Sequence, residues 1–289
     1  MSIEKIKGDN FEVIGMVAYY LNNHSDFINS QMVNELAYLA KISKEEAFFI
    51  LFCEAVGLDI VNNEEDMYLA MTYLKRGIKK LNKNVYENNL YYKNIKTIED
   101  KIGNWEFRYL KYKPYEAFIY DDLIIDGDIE IPQIGYFDEE FKYLSVLENG
   151  QEWMLITPNE INTMQPVIDS VSGNVVTFGL GLGYFAYMAS EKENVNSVTI
   201  VERDKNVIEL FTSYILPQFK HRDKIKIVNE DAFDFASTME GYDYAFVDLW
   251  HDVGDGTNLY IRMKQLEKKE TKYYYWIEKS ILSHLKWTS

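Results

Sequence analysis

The last third of this 289-residue sequence predicts an α/β fold, a doubly wound parallel sheet with helices on both faces. Expected strands and helices alternate there. Each strand is apolar along its length, which is typical of a parallel sheet with both faces buried. The expected strands are residues 174–178, 197–201, 224–228 and 244–247. Only 41 residues (289 minus 248) follow Asp248, which is room for one further strand with a helix on either side of it in the sequence.

The first part of the chain predicts a helical domain, assigned here to residues 1–100. Its apolar residues recur at helical spacing. Ser43 and Glu46 form a capping-box pattern, which predicts the start of the third helix. The expected helices cover residues 11–21, 32–42, 44–56 and 64–81.

Residues 101–156 predict a small β-rich segment that connects the helical domain to the α/β domain at 157–289. Residues 141–147 and 151–156 are expected to pair as a hairpin. The intervening Asn149-Gly150 supports this pairing, because Asn-Gly readily takes the positive φ angles of a type I′ turn.

The same connecting segment is strongly acidic. Between Pro114 and Phe141 there are nine carboxylate side chains and no Lys or Arg. Such a stretch is either a solvated acidic face or an electrostatic funnel for a cationic substrate or partner. Both interpretations stay open at this point.

The whole chain is acidic too, with 46 Asp and Glu residues, 30 Lys and Arg residues and a formal net charge of −16. Nucleic-acid binding depends on basic side chains that neutralise phosphates, so this composition argues against a nucleic-acid partner. Cys53 is the only cysteine, which excludes an intramolecular disulfide and suits a reducing compartment. The apolar run at 47–53 is far too short to span a membrane, and the N-terminus lacks the pattern of a secretory signal. We therefore expect a soluble cytoplasmic protein without a membrane partner.

The strongest chemical signal is a glycine turn at the end of the first expected α/β strand. Gly179, Gly181 and Gly183 follow an apolar run and precede a helix. Closely spaced glycines let the backbone approach a ligand, and the helix that follows offers free N–H groups. Tyr184 stands where a dinucleotide fingerprint needs a small residue, and no Gly-Lys-Ser/Thr follows to complete a phosphate-binding loop.

The Gly-x-Gly-x-Gly spacing resembles the first motif of class I S-adenosylmethionine-dependent methyltransferases, which have a Rossmann-like fold. The sheet of that family usually ends with a sixth and a seventh strand, and the 41 residues after Asp248 leave no room for both, so the resemblance implies a sheet shortened at its C-terminal end. The resemblance implies that the three glycines bind S-adenosylmethionine. Acids at the ends of the next three strands extend the resemblance. The resemblance implies that Glu202 accepts the ribose hydroxyls, that Asp231 binds the adenine amino group and that the backbone N–H of Ala232 contacts the adenine ring. By the same resemblance, Asp248 contacts the cofactor where the transferred group emerges.

Within that superfamily the sequence is most similar to the spermidine-synthase-like branch. The similarity rests on Val-Glu-x-Asp-x-x-Val-Ile-Glu-Leu at 201–210, Asp-Ala-Phe at 231–233 and Tyr-Asp-Tyr-Ala-Phe-Val-Asp at 242–248.

Two positions depart from the family patterns. Thr177 stands where many methyltransferases carry an acid, and Asp252 follows Asp248 by four residues, whereas the aminopropyltransferase signature spaces its acids by three. We therefore predict an enzyme, an S-adenosylmethionine-dependent methyltransferase acting on a small-molecule or protein acceptor. The alternatives are an aminopropyl or alkyl transferase of the spermidine-synthase type and a non-catalytic S-adenosylmethionine-binding module. The expected partner is a neutral or cationic small molecule, and homo-oligomerisation through the N-terminal helices stays open.

The acceptor side of the site is expected just after the fourth strand. His251 is a candidate base that Asp248 or Asp252 would orient, and these three residues are the predicted catalytic groups. Trp250 would stack on the acceptor or the sulfonium, and Tyr184 would form a pocket wall. The alternative is that Trp250 packs against the sheet and His251 caps a loop. No metal site is predicted, because the acid–amide pair that metal-dependent catechol-type O-methyltransferases carry on the next strand has no match.

Overall fold

The chain forms two compact units, and each unit draws on two separate stretches of sequence. The structure is a computed structural model and describes residues 2–97 and 101–288. The first unit comprises Met1–Lys83 and Lys111–Lys142, and the second comprises Asn84–Leu110 and Tyr143–Ser289.

This division differs from the three consecutive domains that we expected. The part of the expected helical domain from Asn84 onward packs with the C-terminal α/β segment, and residues 111–142 of the expected β-rich segment pack with the N-terminal helices. Packing between residues far apart in sequence decides both assignments, and local sequence patterns do not report it. The expected boundary after residue 100 falls at 98–100, outside the described residues.

The secondary structure follows the expected order of elements except at residues 78–80, which form a strand where the fourth helix was expected to continue. The α-helices are α1 (Ile3–His24), α2 (Ser30–Ala40), α3 (Lys44–Ala55), α4 (Glu64–Leu69), α5 (Lys75–Gly77), α6 (Lys83–Glu87), α7 (Leu90–Asn94), α8 (Pro158–Ser170), α9 (Tyr184–Ser190), α10 (Lys205–Leu210), α11 (Ala232–Thr238), α12 (Val253–Lys264) and α13 (Glu278–Thr288). The strands are β1 (Ile78–Lys80), β2 (Lys101–Ile102), β3 (Trp105–Tyr112), β4 (Phe118–Asp126), β5 (Ile129–Tyr136), β6 (Phe141–Glu148), β7 (Gln151–Leu155), β8 (Gly173–Phe178), β9 (Val195–Glu202), β10 (Ile225–Asn229), β11 (Tyr244–Val247) and β12 (Lys272–Tyr275). A π-helical stretch joins α4 to α5. Across the described helices, none combines the length and apolarity needed to cross a membrane.

Helices α1 to α5 belong to the first unit, and local contacts account for their ends. The Ser2 hydroxyl caps α1, which therefore begins well before the expected residue 11. The predicted capping box is confirmed: the Glu46 N–H donates to Ser43 Oγ (3.1 Å) and the Ser43 N–H donates to Glu46 Oε2 (2.9 Å). Helix α5, the last of these, ends at Gly77, whereas we expected a helix to residue 81. A Cβ atom at Gly77 would lie 2.1 Å from the Pro132 carbonyl oxygen.

The helices of the first unit pack on a three-stranded sheet with the order β1-β5-β4. Phe48 of α3 stacks on Tyr136 of β5, with 3.8 Å between ring centroids. These rings lie in one continuous apolar core that the helices share with the sheet.

A buried amide ties α1 to the rest of this unit. The side chain of Asn10 donates to the Asp128 carbonyl (2.8 Å) and accepts from the Tyr73 hydroxyl (2.9 Å) and the Glu130 N–H (3.1 Å). The buried Asn10 side chain therefore satisfies polar groups of the π-helical stretch, of β5 and of the turn between β4 and β5.

Basic side chains from outside the acidic stretch pair with several of its carboxylates. The ion pairs, with their nitrogen–oxygen distances, are Arg76–Asp126 (2.6 Å), Lys80–Asp138 (2.5 Å), Lys83–Glu139 (3.0 Å) and Lys111–Glu140 (2.6 Å). These pairs reduce the negative potential on which the funnel interpretation depends.

The second unit contains a five-stranded sheet with the order β10-β9-β8-β11-β12, in which every neighbouring pair is parallel. Helices flank the sheet, so the predicted α/β, Rossmann-like fold class is confirmed. Among the described residues, β12 is the only strand that follows β11 in the chain, so the expected shortening of the sheet at its C-terminal end is confirmed. Strand order reverses between β8 and β11, and in such sheets ligands bind beyond the carboxyl ends of the strands at this reversal.

An antiparallel sheet with the order β2-β3-β6-β7 completes the second unit. The predicted hairpin is confirmed, because β6 and β7 pair antiparallel on either side of Asn149 (φ 53°) and Gly150 (φ 82°). Two positive φ angles in a two-residue loop match the type I′ turn.

Candidate functional site

The glycine turn connects β8 to α9 at the centre of the parallel sheet. Gly179 has φ 97°, and a Cβ atom there would lie 2.0 Å from the Asp248 carbonyl oxygen. Gly183 has φ 72°, and a Cβ atom there would lie 2.3 Å from the Phe211 ring. Gly181 has φ 53° and nothing within 4 Å of its missing Cβ. Two of the glycines are therefore required by close packing, and the third leaves the backbone accessible.

Backbone hydrogen bonds hold this turn against both neighbouring strands. The Gly179 N–H donates to the Val201 carbonyl at the end of β9 (3.0 Å). The Asp248 N–H, just after β11, donates to the Phe178 carbonyl (2.9 Å). The turn and two of the predicted strand-end acids are thus brought together at one edge of the sheet.

Glu202 is the last residue of β9, and its carboxylate points toward the glycine turn. Oε2 accepts from the Leu180 N–H (3.3 Å), and Oε1 accepts from the Asp204 N–H (2.7 Å). Burial raises the pKa of Glu202, and these backbone hydrogen bonds partly offset the increase. The carboxylate is therefore fixed beside the turn, at the position where the family resemblance expects the ribose hydroxyls.

Asp231 follows β10 and is the N-cap of α11. Its Oδ1 accepts from the N–H groups of Phe233 (2.9 Å) and Asp234 (3.4 Å). Ala232 is the first residue of the helix and is buried. Capping explains Asp231 without any ligand, so the adenine contacts expected of Asp231 and Ala232 stay predictions.

Asp248 has a second carboxyl group near it, that of Glu160 in α8. Burial raises the pKa of Asp248 to about 7, and burial together with the Asp248 charge raises the pKa of Glu160 well above its ordinary value. Helix α8 reaches this strand end through Trp276, whose Nε1 donates to Thr163 Oγ1 (3.0 Å) and whose N–H donates to the Val247 carbonyl (3.0 Å). Neither pKa is lowered by a basic side chain among the described residues.

Glu160 was not among the site residues predicted from the sequence. The residue stands in the first turn of a well-marked helix, where acids commonly complement the helix dipole. The helix does begin at Pro158, but the Thr157 side chain makes no capping hydrogen bond. Only the tertiary packing of α8 brings the Glu160 carboxyl close enough to Asp248 for the Asp248 charge to raise the pKa of Glu160.

Trp250 and Tyr184, which we predicted to contact the acceptor or cofactor pocket, are both buried. Trp250 packs against Tyr275 (6.4 Å between centroids), and a Cβ atom at Gly256 would lie 2.7 Å from its ring. The Trp250 Nε1 is without a hydrogen-bond partner among the described residues. The Tyr184 hydroxyl accepts from Asn89 Nδ2 (2.9 Å). Both side chains therefore have packing roles, and their contact with a ligand stays a prediction.

The partner of His251 is Asp255, whereas we expected Asp248 or Asp252. The distance from His251 Nδ1 to Asp255 Oδ2 is 3.0 Å. The Asp252 side chain is the N-cap of α12, accepting from the N–H groups of Gly254 (2.7 Å) and Asp255 (3.3 Å). The reciprocal capping box turns the Asp255 carboxylate back toward His251. The Asp-x-x-Asp spacing of Asp252 and Asp255 is a sequence signal for this reciprocal cap.

Residues of α7 also reach the glycine turn. The Tyr91 hydroxyl donates to the Leu182 carbonyl (2.5 Å), and Asn94 Nδ2 donates to the Tyr187 hydroxyl of α9 (2.8 Å). Nothing local in the sequence connects this tyrosine-rich stretch with the turn. It supports the turn from a segment about ninety residues earlier in the chain.

The site is composed of carboxylates, aromatic rings and backbone. Within the described ranges, no group of three or more His, Cys, Asp or Glu residues is arranged to hold a metal ion.

Comparison with known proteins locates a family resemblance in this part of the chain. Residues 174–269 match the model of the spermine/spermidine synthase domain. A search of curated proteins finds no match. Among solved structures, spermidine synthase from Thermotoga maritima is similar over 47% of this chain and 52% of that chain, with 13% identity and a TM-score of 0.35.

A second solved structure, spermidine synthase in complex with the transition-state analogue AdoDATO, is similar over 38% of this chain and 43% of that chain. Its identity is 15% and its TM-score 0.31. The chain thus spans about half the length of the first relative and less of the second. The segment that carries the glycine turn and the strand-end acids is therefore similar to the spermine/spermidine synthase domain.

Proposed function

We propose that this protein transfers an aminopropyl or related alkyl group from a sulfonium nucleoside to a cationic amine. The observation that carries the proposal is the pair of carboxyl groups, Asp248 and Glu160, without a basic partner among the described residues. The family match over 174–269 supports it, since this stretch includes the glycine turn and Asp248. Nothing in the comparisons is specific to methyl transfer, so the alternative interpretation of the sequence replaces our first one.

The glycine turn and its acids fit the nucleoside half of such a donor. The open space at Gly181 would admit the ligand beside the backbone, and the fixed carboxylate of Glu202 can accept ribose hydroxyls. Asp231 Oδ1 caps a helix, which leaves Oδ2 for an adenine amino group. Decarboxylated S-adenosylmethionine is the donor that the family match implies, and it supplies a sulfonium-bound carbon that a nucleophile can attack.

The carboxyl pair fits the acceptor half. Two desolvated carboxyls that share a site resist ionising together, and a cation between them removes this cost. An ammonium group at Asp248 and Glu160 would let both ionise and would form charge-assisted hydrogen bonds. Asp252 caps α12 through Oδ1 and follows Asp248 by four residues, whereas the aminopropyltransferase signature spaces its acids by three. Glu160 provides a second carboxyl from another part of the sequence.

Mass spectrometry of the products tests the proposal. The purified protein is incubated with decarboxylated S-adenosylmethionine or with S-adenosylmethionine, together with one of several diamines or triamines. We expect the amine to gain an aminopropyl group from the decarboxylated donor. A methyl gain from the ordinary donor would support our first hypothesis instead, and no product from either donor would refute group transfer to amines.

Two isosteric variants and a matched control test the carboxyl pair. Glu160→Gln and Asp248→Asn should each lower kcat/KM for the amine by about tenfold to a hundredfold, since a hydrogen bond to a charged group contributes about 1.5–3 kcal/mol. Asp169→Asn neutralises an exposed carboxylate on the same helix α8 and should leave kcat/KM unchanged. An equal loss in all three variants would mean that overall charge, rather than this pair, matters.

A further inference from the structure

The loop between β11 and α12 holds an imidazole in a defined orientation. The His251 side chain is 43% exposed, and its Nδ1 lies 3.0 Å from Asp255 Oδ2. On another side, the Trp153 ring of β7 packs edge-on against it, with 4.2 Å between centroids and an interplanar angle of 73°. Trp153 is itself held by an edge contact with the buried Trp105 of β3 (5.5 Å).

The Asp255 carboxylate is arranged to remain ionised. It accepts from the backbone N–H groups of His251 (3.1 Å) and Asp252 (3.1 Å), in addition to facing the imidazole. Partial burial alone would raise the pKa of Asp255, but hydrogen bonds from the His251 ring and from these N–H groups lower it below its ordinary value.

The ionised carboxylate determines which imidazole nitrogen carries the proton. A carboxylate can only accept hydrogen bonds, so the facing Nδ1 must be the protonated nitrogen of the neutral ring. Nε2 then has a free lone pair. The edge contact with Trp153 limits rotation of the ring, so the lone pair keeps its direction. This arrangement has the base and the orienting group of a catalytic dyad.

We propose that His251 is the general base that deprotonates the acceptor amine, and that Asp255 and Trp153 are positioning residues that set its tautomer and orientation. This assignment rests on the proposed function, because an amine that arrives as an ammonium ion has no lone pair with which to attack. His251 follows Asp248 by three residues on the same loop, so base and acceptor site belong to one strand end.

The proposed step balances as follows. Nε2 of His251 takes one proton from the acceptor ammonium, and the freed nitrogen lone pair forms a bond to the sulfonium-bound carbon. The carbon–sulfur bond breaks, and its electron pair stays on sulfur, which becomes a neutral thioether. The imidazolium then loses its proton to water, and the new secondary ammonium leaves with one positive charge.

NMR tests the dyad without any substrate. Long-range nitrogen–proton correlations of the imidazole distinguish the two neutral tautomers. The full-length protein should show the Nδ1–H tautomer at His251, and Asp255→Asn should shift His251 toward the Nε2–H tautomer, because a carboxamide can donate to Nδ1. An Nε2–H tautomer in the unmodified protein would overturn the assignment.

Kinetics test the base itself. With saturating donor and amine, His251→Ala should lower kcat by about a hundredfold or more while KM changes little, and added imidazole should restore part of the rate. Asp255→Asn should lower kcat without imidazole rescue. The matched control is His24→Gln, which removes an exposed histidine with a similar edge contact to Tyr19 (6.0 Å) and should leave kcat unchanged.

The outcomes separate this inference from the proposed function. If the unmodified protein forms aminopropylated amine and His251→Ala retains its kcat, the base assignment fails and the proposed function stands. If the unmodified protein forms no product with any amine, both fail. Loss of activity that imidazole cannot restore in folded His251→Ala would point to a structural role and would also overturn the assignment.

Discussion

Alanine substitutions at two glycines of the same turn should have very different effects. Gly179 and Gly181 both have positive φ angles, but only the first faces a backbone atom. A Cβ atom at Gly179 would lie 2.0 Å from the Asp248 carbonyl oxygen, whereas one at Gly181 would meet nothing within 4 Å. The pair therefore separates steric overlap from backbone strain within one loop.

The expected difference in unfolding free energy between the two variants follows from steric overlap and backbone strain. Gly181→Ala should cost about 1–2 kcal/mol of unfolding free energy, the usual penalty for a non-glycine residue in the left-handed region. The φ of Gly179 is 97°, which lies farther from the left-handed region, so Gly179→Ala should incur backbone strain of about 1–3 kcal/mol. Its new Cβ atom must also displace the Asp248 backbone, which adds an overpacking penalty of about 1–3 kcal/mol. We expect Gly179→Ala to be the less stable variant by about 2–3 kcal/mol.

Tryptophan fluorescence during urea unfolding measures this difference in the relevant unit. All five tryptophans lie in the second unit, so their emission reports the unfolding of that unit. The midpoint should be lowest for Gly179→Ala and intermediate for Gly181→Ala, with similar slopes. Equal midpoints for the two variants would refute the close approach of the turn to Asp248.

Three further substitutions test other parts of the structure. Asp248→Asn should raise the urea midpoint of the ligand-free protein at about pH 8: the folded pKa of about 7 exceeds the unfolded value, so Asp248 costs the wild type stability as pH rises between about 4 and 7, and the variant should lose less stability over this range than the wild type. Asn10→Ala should destabilise the first unit by about 2–4 kcal/mol, because a buried amide with three bonds is lost; hydrogen exchange there should accelerate while the tryptophan transition stays in place. Lys192→Met should lower the tryptophan midpoint by about 1–3 kcal/mol, because Lys192 Nζ donates to three carbonyls at the end of α8, and an unchanged midpoint would show that this cap is dispensable.

Elements with a strong local signal could be predicted from the sequence. The capping box at Ser43 needs only four residues, and Asn149-Gly150 needs only the two residues of the turn. The apolar strand at 244–247 is recognisable because burial on both faces requires an unbroken apolar run. The three strand-end acids follow from the strands, since the side chain after a parallel strand lies at the carboxyl edge of the sheet.

The partners of the site residues could not be predicted in the same way. The Asp248 charge raises the pKa of Glu160 only because tertiary packing brings α8 to the end of β11, and no local pattern records that packing. Trp153 reaches His251 from a hairpin almost a hundred residues earlier in the chain. The pairing of Asp255 with His251 differs from these two contacts, because it follows from a local pattern. The spacing of Asp255 from Asp252 predicts a reciprocal cap from the sequence alone.

The interleaving of the two units has a consequence for how this protein is made. Domains generally fold as units while the chain emerges from the ribosome. Here the first unit lacks its last strands until residue 142 is synthesised, although its helices emerge much earlier. Tyr91 waits longer still, because its partner Leu182 is added 91 residues later. During that interval helix α7, which carries Tyr91, lacks its contacts with the glycine turn and is exposed. Truncation before the glycine turn should therefore yield a chain prone to aggregation rather than an isolated domain.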